Sequence, residues 1–176
     1  MYKNKKILAI IPARSGSKGL KNKNVKLLNG KPLVSWPIMA AQKSKYIDKF
    51  VVSTNSSNIA KISLKYGAKI PFLRPKHLST DKAKSFDVIK NVLNFFQKKN
   101  ELYDYIILLE PTSPLTTSDD IDKALRLLIK NSVKADSIVG IGQVASSHPN
   151  FCVFLNSKNL INPMQDNKYL IKRRQD

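Results

Sequence analysis

Five consecutive apolar residues, Ile7 to Ile11, end at Pro12 and open directly into a loop carrying Arg14, Lys18, Lys21 and Lys23 beside Gly16 and Gly19. An uninterrupted apolar run of this length suits a strand covered on both faces, as in a parallel sheet, and proline ends its ladder by removing a backbone donor. The loop offers glycines, which permit positive φ and close backbone approach, together with cations that gather phosphate oxygens. Open α/β sheets bind ligands beyond the carboxyl ends of their strands, so this loop is the first candidate for a polyanion site. Its spacing fits neither G-x-x-x-x-G-K-[ST] nor G-x-G-x-x-G, which argues against a P-loop ATPase and a dinucleotide-binding unit. A solvated surface turn is the competing reading of the same lysines.

Further along, candidate strands and helices alternate, which predicts an α/β fold with a mostly parallel sheet flanked by helices. Leu33 to Lys43 is helical in content, with Pro37 restricting its first turn, and Phe50 to Thr54 reads as the second strand. Asn55 or Ser56 can cap a helix running toward Tyr66, Gly67 suits its C′ position, and Lys69 to Leu73 reads as extended. Phe86, Ile89, Val92, Leu93 and Phe96 recur at helical spacing and are expected to face the core. Tyr105 to Leu109 is expected as a central strand ending at Glu110-Pro111-Thr112-Ser113-Pro114. Ser118, Asp119 and Asp120 begin a helix with Ile121, Ala124, Leu125 and Leu128 on its apolar face; the two aspartates are read as serving the helix's positive end rather than Mg²⁺. Asp136 to Val144 is expected to add a further strand, with Gly140 and Gly142 at a bend.

The chain has 176 residues, which suits one domain. Its 31 lysines and arginines against 12 acidic residues give a formal charge of +19, which favours an anionic partner without choosing among nucleic acid, acidic lipid and nucleotide. Most of the lysines are scattered and read as solvated surface. Cys152 is the single cysteine, so no intramolecular disulfide forms and a reducing cytoplasm fits. The amino terminus has no small-residue cleavage pattern, and no stretch approaches the roughly 20 apolar residues of a membrane span. A soluble protein is expected.

The order A-R-x-G-S-K-G followed by Lys23-Asn24 resembles the signature loop of the acylneuraminate cytidylyltransferases, the CMP-sialic acid synthetases and their relatives for other nonulosonic acids. Val51 to Thr54, Leu73-Arg74-Pro75, Ser79 to Ser85 (S-x-D-x-A-x-S), Leu108 to Leu115 (LLEPTSPL) and His148-Pro149 resemble further segments of that family, in the same order. The resemblance implies a Rossmann-like nucleotidyltransferase fold and the transfer of CMP from CTP to the anomeric hydroxyl of a nonulosonic acid. Pyrophosphate is released, Mg²⁺ assists, and the product serves surface glycan biosynthesis. By position in the family motifs, Arg14 and Lys23 are the leading cations for the triphosphate. Ser15, Gly16, Asn24, Arg74 and Ser85 join them in holding the nucleotide, and Glu110, Thr112 and Ser113 lie on the sugar side.

Plainer roles compete with these. Ser85 could cap the helix beginning near Phe86, Thr112 and Ser113 could stabilise a proline-bounded turn, and His148 reads as a structural or interface residue. Glu110 stands where many CMP-sialic acid synthetases have glutamine, and its charge beside an acidic sugar leaves sialic, legionaminic and related acceptors open. The resemblance divides the chain into a CTP-binding core, residues 1–147, and the start of a dimerisation extension, residues 148–176. In the family an N-G-A strand and an I-D-x-x-x-D region with metal-binding carboxylates come after a segment like Arg173 to Asp176. The chain is therefore expected to be the first part of a cytidylyltransferase lacking the C-terminal part, a homodimer when complete. A noncatalytic nucleotide-binding subunit is the nearer alternative. A basic nucleic-acid-binding module is the distant one, since no helix-turn-helix, KH or RNP pattern occurs, and neither a specific nucleic acid nor a membrane is an expected partner.

Overall fold

In the computed structural model, residues 2–17, 19–141, 153–155, 157 and 161–163 are described. Strand β1 (Ile7–Pro12) has every residue from Ile7 to Ile11 fully buried. Its side chains alternate between two cores. Ile7, Ala9 and Ile11 pack with Val34, Ile38, Ile59, Ile121 and Leu125, whereas Leu8 and Ile10 pack with Val51, Val92 and Phe96. Burial on both faces is why the run lacks the polar alternation of a half-exposed strand.

The small two-stranded ribbon β2 (Leu27–Leu28) and β3 (Lys31–Pro32) follows, turned by Asn29 and Gly30 at positive φ. With β4 (Lys49–Ser53) and β5 (Tyr105–Leu108), β1 forms a parallel sheet of order β4-β1-β5. Pro12 lies opposite Ser53 and Ile10 opposite Leu108, so the three strands finish at one rim. Helices α1 (Ser35–Lys43), α2 (Ser57–Lys65) and α4 (Ser118–Lys130) contribute to the first core, and α3 (Ser85–Gln97) to the second. The expected α/β architecture, a parallel sheet flanked by helices, is the one observed. Parallel bridges from Val51 to Lys69 and from Thr54 to Leu73 hold the segment read as extended.

The helix boundaries follow local chemistry. Ser56 accepts a hydrogen bond from the Ile59 N–H, and α2 stops before Gly67 at φ +82, where a Cβ would lie 2.5 Å from Gln42 Nε2. Helix α4 is capped one residue earlier than expected: the Thr117 hydroxyl accepts from the Asp120 N–H while the Asp120 carboxylate accepts from the Thr117 N–H. Hydrogen bonds from the Thr117 hydroxyl and backbone hold the Asp120 carboxyl below its ordinary range. That carboxylate is committed to the helix start, as read from the sequence.

At the amino-terminal end of the sheet, Asp48 and Ile7 exchange hydrogen bonds, Ile7 N to Asp48 Oδ2 at 2.8 Å and Asp48 N to Ile7 O at 3.0 Å. Nearby, the buried Asp122 of α4 accepts from Ser44 Oγ at 2.5 Å and from Lys45 N at 3.1 Å, while Ser44 Oγ itself accepts from the N–H groups of Tyr46 and Ile47. One carboxylate therefore locks the turn after α1 to α4.

Three expectations are corrected. Phe86 is 70 % exposed rather than in the core. The stripe of α3 that is buried is Val88, Val92 and Phe96, with Ile89 and Leu93 partly buried against the second core, and Phe86 stands in the first turn of the helix, ahead of that stripe. Tyr105 to Leu108 is an edge strand of the sheet among the described residues, and its side chains are accordingly less buried than those of β1. Among the described residues, 136–141 pair with no strand, and Val139 and Ile141 are exposed; β-propensity is realised only where a ladder and a covered face are supplied. Residues 142–144 of that expected strand lie outside the described residues, as do His148, Pro149, Cys152 and Arg173 to Asp176.

The chain separates into two compact units, Met1–Ile138 and Val139–Asp176. The second contains an antiparallel pair, β6 (Val153–Leu155) with β7 (Ile161–Pro163). Among the described residues no helix is long and apolar enough to cross a membrane.

Candidate functional site

Where β1 leaves the sheet, its chain is tied down before it reaches any charge. Ala13 N donates to Ser53 O at 2.9 Å, and Asn55, just past β4, accepts from Ser15 N at 2.9 Å and donates to Ser15 Oγ at 3.0 Å. Gly16 sits at φ +78, a region closed to most side chains. A 3₁₀ turn, Lys23–Val25, follows Asn22 at φ 56. The buried Asn24 donates from Nδ2 to Arg14 O at 2.9 Å, and its own carbonyl accepts from Val34 N at 3.0 Å. Asn24 thereby fixes the backbone from which the Arg14 side chain projects.

Arg14 and Lys23 line a cleft of about 600 Å³ beside the rim where the strands end. That volume is in the range of small-molecule sites. Asn24, Arg74, Ser85, Glu110 and Thr112 line the same cleft, so seven of the sequence-selected residues converge on it. Three do not line it. Ser15 and Gly16 belong to the loop behind Arg14, and Ser113 sits on the proline-bounded turn, donating from its N–H to Glu110 O at 3.0 Å. Ser85 is the first residue of α3, not its cap, which leaves its hydroxyl to the cleft. Thr112 Oγ1 donates to Glu110 Oε2 at 3.3 Å.

Arg74 is the electrostatic centre of this wall. It is only 6 % exposed, yet its partners are neutral carbonyls: Nη2 donates to Ser53 O at 2.6 Å and Nη1 to Leu78 O at 3.4 Å, while Nε is buried without a partner. Burial, and secondarily the positive charge of Arg14, push its pKa down to about 10, so it remains a cation at neutral pH. A buried cation facing carbonyls and another cation is an arrangement that an anionic or carbonyl-bearing ligand would relieve.

Two residues of the site were not singled out by sequence reasoning. Asp81 lines the cleft and pairs with Arg14, Nη2 to Oδ1 at 2.6 Å; its signal was its place inside the S-x-D-x-A-x-S stretch. Asn55 was read only as a helix cap, because its hydrogen bonds to Ser15 span forty residues. Among the described residues no group of three or more His, Cys, Asp or Glu side chains could hold a metal ion.

The sequence model of the cytidylyltransferase family matches residues 8–175, nearly the whole chain. The chain belongs to this family. The resemblance carried by the loop and strand-end motifs is thereby confirmed at the level of the family. Among similar proteins, a CMP-N,N'-diacetyllegionaminic acid synthase of Legionella pneumophila is 38% identical over 90% of this chain and 67% of that protein. A pseudaminic acid cytidylyltransferase of Campylobacter jejuni is 42% identical over 73% of this chain and 56% of that protein. An N-acylneuraminate cytidylyltransferase of Escherichia coli is 47% identical over 69% of this chain and 28% of that protein. The chain thus spans between about a quarter and two thirds of these relatives. A solved CMP:2-keto-3-deoxy-manno-octonic acid synthetase complexed with CTP shares the fold with a TM-score of 0.61 at 20% identity, over 72% of this chain and 48% of that one.

Proposed function

We propose that this cytidylyltransferase-family chain transfers CMP from CTP to the anomeric hydroxyl of a nonulosonic acid, releasing pyrophosphate, as a step toward surface glycans. The observation that carries the reading is the convergence of Arg14, Lys23 and the buried Arg74 on one cleft at the strand ends. Arg14 and Lys23 neutralise the triphosphate and stabilise the charge that builds on departing pyrophosphate. Asn24, Arg74 and the Ser85 hydroxyl help to hold the ribose and cytosine, with Ser15 and Gly16 shaping the loop that carries Arg14. Glu110 and Thr112, with Ser113 on the adjoining turn, face the acceptor and align its hydroxyl with the α-phosphorus. The names of the relatives support a nonulosonic acid as the acceptor class.

Magnesium belongs to this reading as a companion of the triphosphate. Asp81 and Glu110, the carboxylates lining the cleft, form no dedicated cage, and Asp81 is engaged by Arg14. A bound Mg²⁺ would supply charge neutralisation and be held largely by phosphate oxygens and water. The division at residues 147 and 148, homodimer formation through the later segment, and a cytoplasmic setting complete the proposal.

Pyrophosphate release tests it. With CTP, Mg²⁺ and N-acetylneuraminate, legionaminate or pseudaminate supplied in turn, release is expected with at least one sugar. CTP binding without release for any of them would favour the noncatalytic nucleotide-binding subunit. Absence of CTP binding would reject the reading outright.

A further inference from the structure

The Arg14 guanidinium already has an anion. Nη2 meets Asp81 Oδ1 at 2.6 Å, and Nη1 approaches Ser79 O at 3.4 Å, so one fork grips two points of the same loop. Asp81 lies within a turn closed by Ala83 N to Thr80 O at 3.3 Å, between a 3₁₀ helix, Lys76–Ser79, and the first residue of α3, Ser85. Asp81, Thr80, Ala83 and Ser85 all line the cleft that Arg14 lines. The ion pair therefore ties the opening loop to the 79–84 loop at this cleft.

Carboxylate and phosphate engage a guanidinium through the same planar fork, so they compete for the same nitrogens. The side chains are 33% and 42% exposed, which makes the pair weak in the way solvent-exposed pairs are. It is strong enough to orient a long side chain and weak enough to yield to a ligand carrying several negative charges.

We propose that Asp81 is a resident competitor at the triphosphate site: it occupies the Arg14 fork as a stand-in anion until phosphate oxygens displace it, so that ligand binding breaks the Arg14 tie to the 79–84 loop. This rests on the triphosphate reading of the cleft, and it adds a conformational step to it. Binding is an exchange of one anion for another, and the loop leading into Ser85 loses its tie to Arg14 at that moment.

The test is a double-mutant cycle read by calorimetric CTP binding in the wild-type chain, Asp81→Asn, Arg14→Gln and the double variant. Removing the competitor should tighten CTP binding about two- to fivefold, the worth of an exposed ion pair. In the Arg14→Gln background the same change should have almost no effect. Amide hydrogen exchange across residues 79–84 should also accelerate in Asp81→Asn without ligand, and in the wild type when CTP is added. Weaker CTP binding by Asp81→Asn would overturn the proposal. So would equal tightening in both backgrounds, which is the signature of simple charge repulsion. A chain that ignores CTP but binds inorganic triphosphate with the same four-variant pattern would remove the nucleotide reading and leave the exchange at Arg14 standing.

Discussion

Replacing Arg74 by methionine is expected to leave the folded state within about 2 kcal/mol of wild type while weakening CTP binding by roughly a hundredfold, the worth of a charge-assisted hydrogen bond at a desolvated site. The two effects separate because the arginine is poorly supported by its own fold. A pKa depressed from an ordinary 12.5 to about 10 means that folding holds the charged side chain at a cost of roughly 3 kcal/mol. Against this stand hydrogen bonds to Ser53 O and Leu78 O, and Ser53 O keeps its bond from Ala13 N when the guanidinium is gone. Methionine fills most of the volume without a charge or a buried unpartnered Nε. Denaturant unfolding and calorimetry on one preparation measure both quantities. A stability loss above about 4 kcal/mol with intact CTP affinity would make Arg74 a structural residue.

Asp122→Ala is expected to do the reverse. It removes the acceptor of Ser44 Oγ and Lys45 N inside the fold and should cost about 3 kcal/mol, or a melting temperature lower by roughly 6–12 °C. Asp122→Asn, which keeps one acceptor oxygen, should recover part of the loss. Because this turn lies at the amino-terminal end of the sheet, near the Ile7 and Asp48 exchange, CTP affinity of the folded variant should stay at the wild-type value. A drop in affinity equal to that of a cleft variant would contradict this assignment.

These two residues mark the boundary of what the sequence made legible. β1 was readable because burial on both faces forces every position to be apolar, a pattern that a half-exposed strand cannot carry. Ser56 and Gly67 were readable because a cap is a contact among near neighbours. Arg14, Lys23, Arg74, Ser85, Glu110 and Thr112, chosen by motif position, line a single cleft. Nothing local announces Asp122, whose partners lie 77 and 78 residues away, or the Arg14 and Asp81 pair, 67 residues apart. Helical spacing placed Phe86 with Ile89 and Leu93, which do pack against the second core, but Phe86 stands in the first turn of α3 and is exposed, an end effect that periodicity does not carry. The edge position of β5 among the described residues is likewise a property of pairing, which a strand's own residues do not encode. Asn24, also chosen by motif position, lines the same cleft, while the hydrogen bond from its amide to the Arg14 carbonyl, which fixes that backbone, is a contact no motif announces.

The central claim is that the turn leaving β1 grips a cytidine triphosphate through its cations. A crystal structure of the chain with CTP tests this most directly. The predicted result has phosphate oxygens within hydrogen-bonding distance of Arg14 and Lys23, and the cytidine toward Arg74 and Ser85. A triphosphate bound elsewhere, or Arg14 and Lys23 turned away from it, would contradict the claim.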